Sequence, residues 1–454
     1  MAKSNNEEIE RLKEMINRLE MFTQPYLKLG ELFEELTNIA LLAEEAQDIE
    51  LLQFIFQKLM PEVDEISNTY QWFTKSEKAK KLYQKKAKLE EHARYLRTFD
   101  AHSMIHVSAD TTGNAGDYIL ARGIRKQVEG ARGDICWYHA DVRQRPDSDF
   151  IRVCNRSEGV VLGGGGLFLW DTNPNEISGW QWPCSVQELN AIQAPIYVLA
   201  VGYNRFRGQT DFPECFRENV NSLVEKAAFF GLRNHGSIEA IRRYLREDLR
   251  EKVVYHPCPT TVLSKLYELP ERGKEEPFIA LNCAFDRSEM RYGDQEEAVM
   301  FAIARVVKRL SQHCKIKYYA HTNDDERMFP YLNAVGVEYE KVALARQMSE
   351  QEYLSYFTEP ELVLAIRGHA QMIPFGCKTP TVSIISHDKL KWFLDDIGHP
   401  EWGVEAMDEH LEEKLLEKSL YMLAHRKEIC AQIEAAQEEL WRISQENLRW
   451  FPLA

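Results

Sequence analysis

Two basic residues stand where an apolar run gives way to a helical period in "ELVLAIRGHAQMIPFG": Arg367 and His369. The same thing recurs one unit later in "TPTVSIISHDKLKWF", where His387, Lys389 and Lys391 crowd a helix start. Cations there oppose the helix macrodipole, which favours anions at an N-terminus by about 0.3–1 kcal/mol. Successive turns that both carry this conflict point to one highly charged anionic guest, with Lys391 on the solvated face. Arg233, after "AAFFGL", either faces the same cleft or pairs with a core carboxylate, and Ser237 reads as the cap of the next helix. A further turn, "DTTGNAGDYIL", brings Asn114, Gly116 and Asp117 to a helix start. Free backbone N–H groups suit an anion there. The structural alternative is that Asp117 caps the helix and Asn114 takes a turn conformation.

The stretch "VVLGGGGLFLWD" puts four glycines, Gly163 to Gly166, after an apolar run. Glycine is costly to order, so four in a row need a reason. The run is not a P-loop, because no Gly-Lys-Ser/Thr comes after it, and Phe168 stands where a dinucleotide fingerprint needs its third glycine. One reading is that Gly164 and Gly165 let a ligand touch main chain, with Leu167, Phe168 and Trp170 as a wall beside it. Trp170, Trp180 and Trp182 then lie near Asp171 and Asn173, and aromatic faces beside hydrogen-bonding side chains suit a sugar ring. The other reading is a tight packing corner at a strand end.

The elements that must position these residues are set by periodicity. Residues 1–97 read as amphipathic helices, as in "EEIERLKEMINRLEMF", and form a hairpin or bundle. From residue 103 short β-rich runs alternate with helical periods, which implies βαβ units and a parallel sheet. "LPERGKEEP" at 269–277 is a linker, after which the alternation restarts. The expectation is an α/β protein with two doubly wound, Rossmann-like domains facing a cleft. Residues 98–268 make the first α/β domain and 269–408 the second, while 409–454 are helices packing back on the body, with Trp441 and Trp450 as anchors.

Composition excludes several classes. A formal net charge of -15 and no basic stripe argue against a nucleic-acid partner. Nine cysteines, none in a CxxC pair, argue against a structural zinc site and fit a reducing compartment. The N-terminus is too charged for a signal peptide, and no apolar run approaches the roughly 20 residues of a membrane span. The expected location is cytoplasmic, with or without peripheral membrane association, and the N-terminal helices are a candidate homodimer interface.

Taken in order, the blocks resemble the polysaccharide pyruvyl transferase family: "NAGD" at 114–117, "GGGGLF" at 163–168, "GLRNHGS" at 231–237, "HPCPTT" at 256–261, "RGHAQMIPFGCKTPTVSII" at 367–385 and "SHDKLKWFLDDIG" at 386–398. The resemblance spans residues about 103 to 400, and departs from the family at Asn234, where Asp is common, and at Gly368, where a large apolar residue is usual. It implies a GT-B-like fold and transfer of the enolpyruvyl unit of phosphoenolpyruvate onto a sugar or lipid-linked glycan, forming a ketal, with no metal and no cofactor beyond the donor. It also implies catalytic roles for Arg233 and His369 and donor contacts for Arg367 and Lys389. The residues agree: a donor with close to three negative charges needs a local knot of Arg and Lys in so acidic a chain. A histidine, His369 first and His387 second, can give and take the proton. The competing expectations are a GT-B glycosyltransferase using a nucleotide sugar, with Glu359 or Glu361 at the ribose, and an inactive glycan-binding or scaffold homologue.

Overall fold

Strands β1 (Ser103–Ser108), β2 (Cys136–Asp141), β3 (Gly159–Phe168), β4 (Ile196–Tyr203), β5 (Phe229–Leu232) and β6 (Val253–Tyr255) form a six-stranded sheet in the order β2-β1-β3-β4-β5-β6. Strands β7 (Phe278–Asn282), β8 (Lys315–Ala320), β9 (Glu340–Ala343), β10 (Leu362–Ala365), β11 (Thr381–Ile385) and β12 (Gly403–Glu405) form a second, ordered β12-β11-β10-β7-β8-β9. The computed structural model describes residues 103–109, 115–273, 276–344, 348–449 and 451. The expected helical region 1–97, Asn114 and Trp450 lie outside them. The described residues from 105 onward form one compact unit.

The sheets are parallel and their central strands are covered on both faces, so those strands are near-continuously apolar rather than alternating, whereas the edge strand β9 exposes three of its four residues. All eight residues of β4, "IYVLAVGY", are buried. This is the doubly wound, two-sheet architecture that the alternation of strands and helices predicts. In each sheet the strand order reverses once, between β1 and β3 in the first and between β7 and β10 in the second. Ligands bind at the carboxyl ends of the strands beside such a reversal.

Six helices position the site or close the body around it: α1 (Ala115–Arg132), α2 (His235–Arg242), α3 (Gly368–Gly376), α4 (Asp388–Asp396), α5 (Leu411–Ala424) and α6 (Arg426–Leu448). The first four each start at the carboxyl end of a strand. The last two bury Leu411, Leu415, Met422, Ile429, Ile433 and Leu440 in the core of the second sheet, where Trp441 also packs. The end of α6 and the residues after it reach the first sheet: Asn447 Nδ2 donates to the Tyr255 carbonyl at 2.8 Å, and the Phe451 ring stacks on Tyr197 at 4.0 Å between centroids.

Candidate functional site

The two reversal points face one another across the seam between the sheets. A Cβ placed on Gly116, in the first turn of α1, would run into the His369 ring, which rises from the first turn of α3. His369 Nδ1 lies 3.7 Å from the Asp117 carboxylate. Arg233 enters from the end of β5, and Gly202 makes room for it, since a Cβ there would overlap the guanidinium. Lys389 enters from α4, its Cε 3.7 Å from where a Gly368 side chain would begin. His369 feels Arg233, Lys389, His321 and Arg367 electrostatically, so these groups share one neighbourhood.

Matching cations to carboxylates exposes an imbalance. Arg367 donates through Nε (3.1 Å) and Nη2 to Asp325, donates to Thr322 Oγ1 at 3.1 Å, and meets Asp286 at 2.8 Å through Nη1. Asp286 also accepts from Arg291 Nη2 at 2.9 Å. Burial pushes the Asp286 carboxyl up, but Arg291 and Arg367 outweigh it and hold the group down at about 2. Arg367 and Arg291 are thus matched by Asp325 and Asp286. Arg233 and Lys389 have no ion pair among the described residues. Arg233 is 7% exposed, yet its Nε and Nη2 have no hydrogen-bond partner. Lys389 Nζ donates to the Asn204 Oδ1 at 2.8 Å, and burial followed by the fields of Arg291 and Arg233 lowers its affinity for its proton. His369 Nε2 and His321 Nε2 are also buried without partners. Burial, then Arg233 and Lys389, hold the His369 imidazole well below the usual histidine range. Buried orphan donors of this kind call for a ligand or an ordered water.

Several sequence expectations change in three dimensions. Arg367 is at the site, but its fork is filled by Asp325, Thr322 and Asp286 rather than open to a guest. His387 is the N-cap of α4: its Nδ1 accepts from the Lys389 N–H at 3.2 Å, and its Nε2 faces the Asn204 carbonyl at 3.5 Å. Both ring nitrogens are therefore engaged by backbone, and His387 is a structural cap rather than a free acid–base group. Asn234, not Ser237, caps α2 by accepting the Ser237 N–H at 2.7 Å. Asp and Asn cap equally well, so that departure from the family pattern preserves its local role. Lys391 pairs with Asp395 at 2.6 Å on the exposed face.

The glycine run is a packing corner within β3. A Cβ on Gly163 would meet the Leu199 carbonyl, one on Gly164 the Leu120 side chain at 2.6 Å, and one on Gly166 the Asn204 side chain at 2.7 Å. What comes close to Gly164 is protein, not ligand. Only at Gly165 is there room, with Asp117 Oδ1 3.7 Å from the added atom. The aromatic wall is largely core as well. Phe168 is fully buried against Trp180, 5.0 Å between centroids, and Trp180 Nε1 donates to Asn219. Trp182 is also buried. Trp170 keeps some exposure, and its Nε1 has no partner. Asp171 is bound across the seam by both Nε (2.9 Å) and Nη2 (2.8 Å) of Arg287, so it fastens the sheets together.

Five residues of this cluster escape the sequence reading: Asp286, Arg291, His321, Asp325 and Asn204. A signal existed for the first, since "FIALNCAFDR" carries charged residues just past β7 as "ELVLAIR" does past β10. The acids considered for a ribose are engaged elsewhere: Glu359 accepts the Gly273 N–H at 2.7 Å, and Glu361 pairs with Arg272 at 2.7 Å and Arg426 at 2.8 Å. Among the described residues no group of three or more His, Cys, Asp or Glu is placed to hold a metal ion, and no helix is long and apolar enough to cross a membrane.

Solved structures similar to this chain include a putative UDP-N-acetylglucosamine 2-epimerase from Listeria monocytogenes, at 13% identity and a TM-score of 0.45, covering 74% of this chain and 91% of that one. A glycosyltransferase from Rickettsia africae ESF-5 is similar at 12% identity and a TM-score of 0.44, covering 77% and 96%. No curated relative matches the sequence. The family model for polysaccharide pyruvyl transferase matches residues 114–388, which takes in both reversal points, Arg233, His369 and the start of α4. The chain belongs to the polysaccharide pyruvyl transferase family.

Proposed function

We propose that the protein transfers the pyruvyl group of phosphoenolpyruvate to a sugar of a glycan, or of a lipid-linked glycan precursor, in the cytoplasm, forming a ketal. The observation that carries this reading is the pair of buried cations without carboxylates, Arg233 and Lys389, beside the partnerless Nε2 of His369. An unpaired buried charge costs several kcal/mol. A donor with a carboxylate and a phosphate supplies the missing negative charge. Arg233 offers a planar fork to one oxyanion and Lys389 a point charge to the other. Arg367 and Arg291, held by their carboxylates, extend the positive field without being consumed by it.

In this reading the imidazole of His369 is neutral in the empty site and takes the proton of the attacking hydroxyl. It passes that proton to the methylene carbon of the donor, so that C2 accepts the sugar oxygen. The C2–O bond to phosphate then breaks, the second hydroxyl closes the ketal, and its proton leaves with the phosphate. Arg233 and Lys389 stabilise the charge on the departing group, and charge in that position is where preorganised donors contribute most. The acceptor approaches along Gly165, Asp117 and Trp170. No metal and no further cofactor enters these steps.

The test is thermal stabilisation by phosphoenolpyruvate against a panel of nucleotides and nucleotide sugars, followed by phosphate release with a glycan acceptor. Stabilisation by phosphoenolpyruvate that Arg233→Ala abolishes supports the reading. Stabilisation by a uridine nucleotide alone rejects it in favour of glycosyl transfer, and binding without phosphate release with any acceptor rejects it in favour of a glycan-binding protein.

A further inference from the structure

Among the described residues Lys389 has one side-chain hydrogen-bond partner, and that partner comes from the other sheet. Asn204 comes directly after β4 and is 9% exposed. Its backbone is pinned, because its N–H donates to the Phe168 carbonyl at 2.9 Å and so extends the β3–β4 ladder. Its carbonyl faces His387 Nε2 at 3.5 Å, and its side-chain oxygen accepts from Lys389 Nζ at 2.8 Å. One residue of the first sheet therefore holds both the cap of α4 and the ammonium that α4 presents. The space it occupies exists because position 166 is glycine, since a Cβ there would lie 2.7 Å from Asn204 Cγ. Phe206, two residues on, closes the floor, with Lys389 Nζ 5.9 Å and Arg291 Cζ 5.0 Å from its ring centroid.

We infer that Asn204 is the positioning residue of the donor site, aiming the Lys389 ammonium at the donor oxyanion, and that Gly166 is glycine in order to admit it. This rests on the phosphoenolpyruvate reading for its functional meaning, but its geometric claim stands by itself. A neutral amide suits the task. It fixes the direction of one N–H of the ammonium while leaving the positive charge uncancelled, whereas a carboxylate in its place would compete with the guest. The ammonium has two further protons for that guest. The groups facing Lys389 are Arg291, Arg233, Asp286 and Arg367, with His387 and His369 beside it.

Two readouts separate this inference from the function it serves. The first needs no substrate: the pH titration of the Lys389 side chain, followed by the 13Cε shift in lysine-labelled protein. Asn204→Asp is expected to move the midpoint up and Asn204→Ala to move it down, because one adds a carboxylate and the other removes an acceptor. The second is donor kinetics. Asn204→Ala is expected to raise the KM for phosphoenolpyruvate tenfold or more with kcat within about threefold, and Gly166→Ala to reproduce this. In a Lys389→Ala background, Asn204→Ala should add less than twofold. Unmoved Lys389 midpoints in both Asn204 variants, or an undiminished effect of Asn204→Ala without Lys389, overturn the inference. Midpoints that move as expected in a protein that phosphoenolpyruvate does not stabilise uphold the positioning role and reject the donor.

Discussion

His369 is surrounded by positive charge and buried, and both conditions favour its neutral form. Its pH behaviour should therefore differ between the empty and the occupied site. In kcat/KM, which reports the free enzyme, the acid limb is expected at a midpoint below the usual 6.5. In kcat the midpoint should lie higher, because a bound trianion offsets Arg233 and Lys389. His369→Gln should remove the limb and lower kcat by about 10²–10⁴-fold. Identical acid limbs in the two profiles would show that the guest does not neutralise this cluster. At this scale the sequence was legible where chemistry-bearing types stand at the end of an apolar run, as at Arg233, Arg367 and His369. It was silent on Asn204, because a neutral amide after a strand matches no pattern. It also hid the engagement of the Arg367 fork, since the Asp325 that fills it lies 42 residues upstream.

The elements owe their precision to small residues at close approaches. Gly202 sits in β4 beside a register shift, two residues after Ala200, which adopts a left-handed conformation at φ 51°. Bulges of this kind re-aim side chains next to functional sites. Gly202→Ala would press on the far end of the Arg233 side chain, which can move aside. The expected result is a small loss of stability, below about 1.5 kcal/mol, with at least a tenfold loss in kcat/KM. Gly130→Ala is the control. It lies in α1 with nothing within 4 Å of the added methyl, and should stabilise the protein by about 0.5–1 kcal/mol with activity unchanged. Unchanged kcat/KM in Gly202→Ala would remove Arg233 from the reaction. The glycine run of β3 illustrates what periodicity conceals. Four glycines announce a close approach, but the neighbours that approach Gly163 and Gly166 are Leu199 and Asn204, which pairing with β4 brings alongside.

Across the whole molecule the sheets meet through charged and aromatic contacts as well as apolar ones, since Ile119 and Leu120 of α1 pack into the core of the second sheet. Arg287 grips Asp171, Arg207 reaches Asp388 at 2.6 Å and Glu405 at 3.0 Å, and the Trp392 ring lies over Gly236. His235 Nδ1 pairs with Asp396 at 2.8 Å. Burial raises the Asp396 carboxyl to about 6, with His235 offsetting part of the effect. The folded protein thus keeps this proton to a higher pH than the unfolded chain does. The associated stability is complete below pH 3.8 and is lost as pH climbs through about 6, a change on the order of 3 kcal/mol. Asp396→Asn lacks the proton, so urea denaturation between pH 4 and 7 should show the variant gaining on the native protein as pH rises. Parallel stability curves would show that the seam does not bury this carboxyl.

The path of α6 ties two cores to one segment. The second sheet owes Ile429, Ile433 and Leu440 to it, and the first sheet owes the cover of Tyr197 to the ring of Phe451 just beyond it. Cutting the chain ahead of Arg426 would therefore open apolar surface on both sheets at once, so neither half is sealed without the same strap.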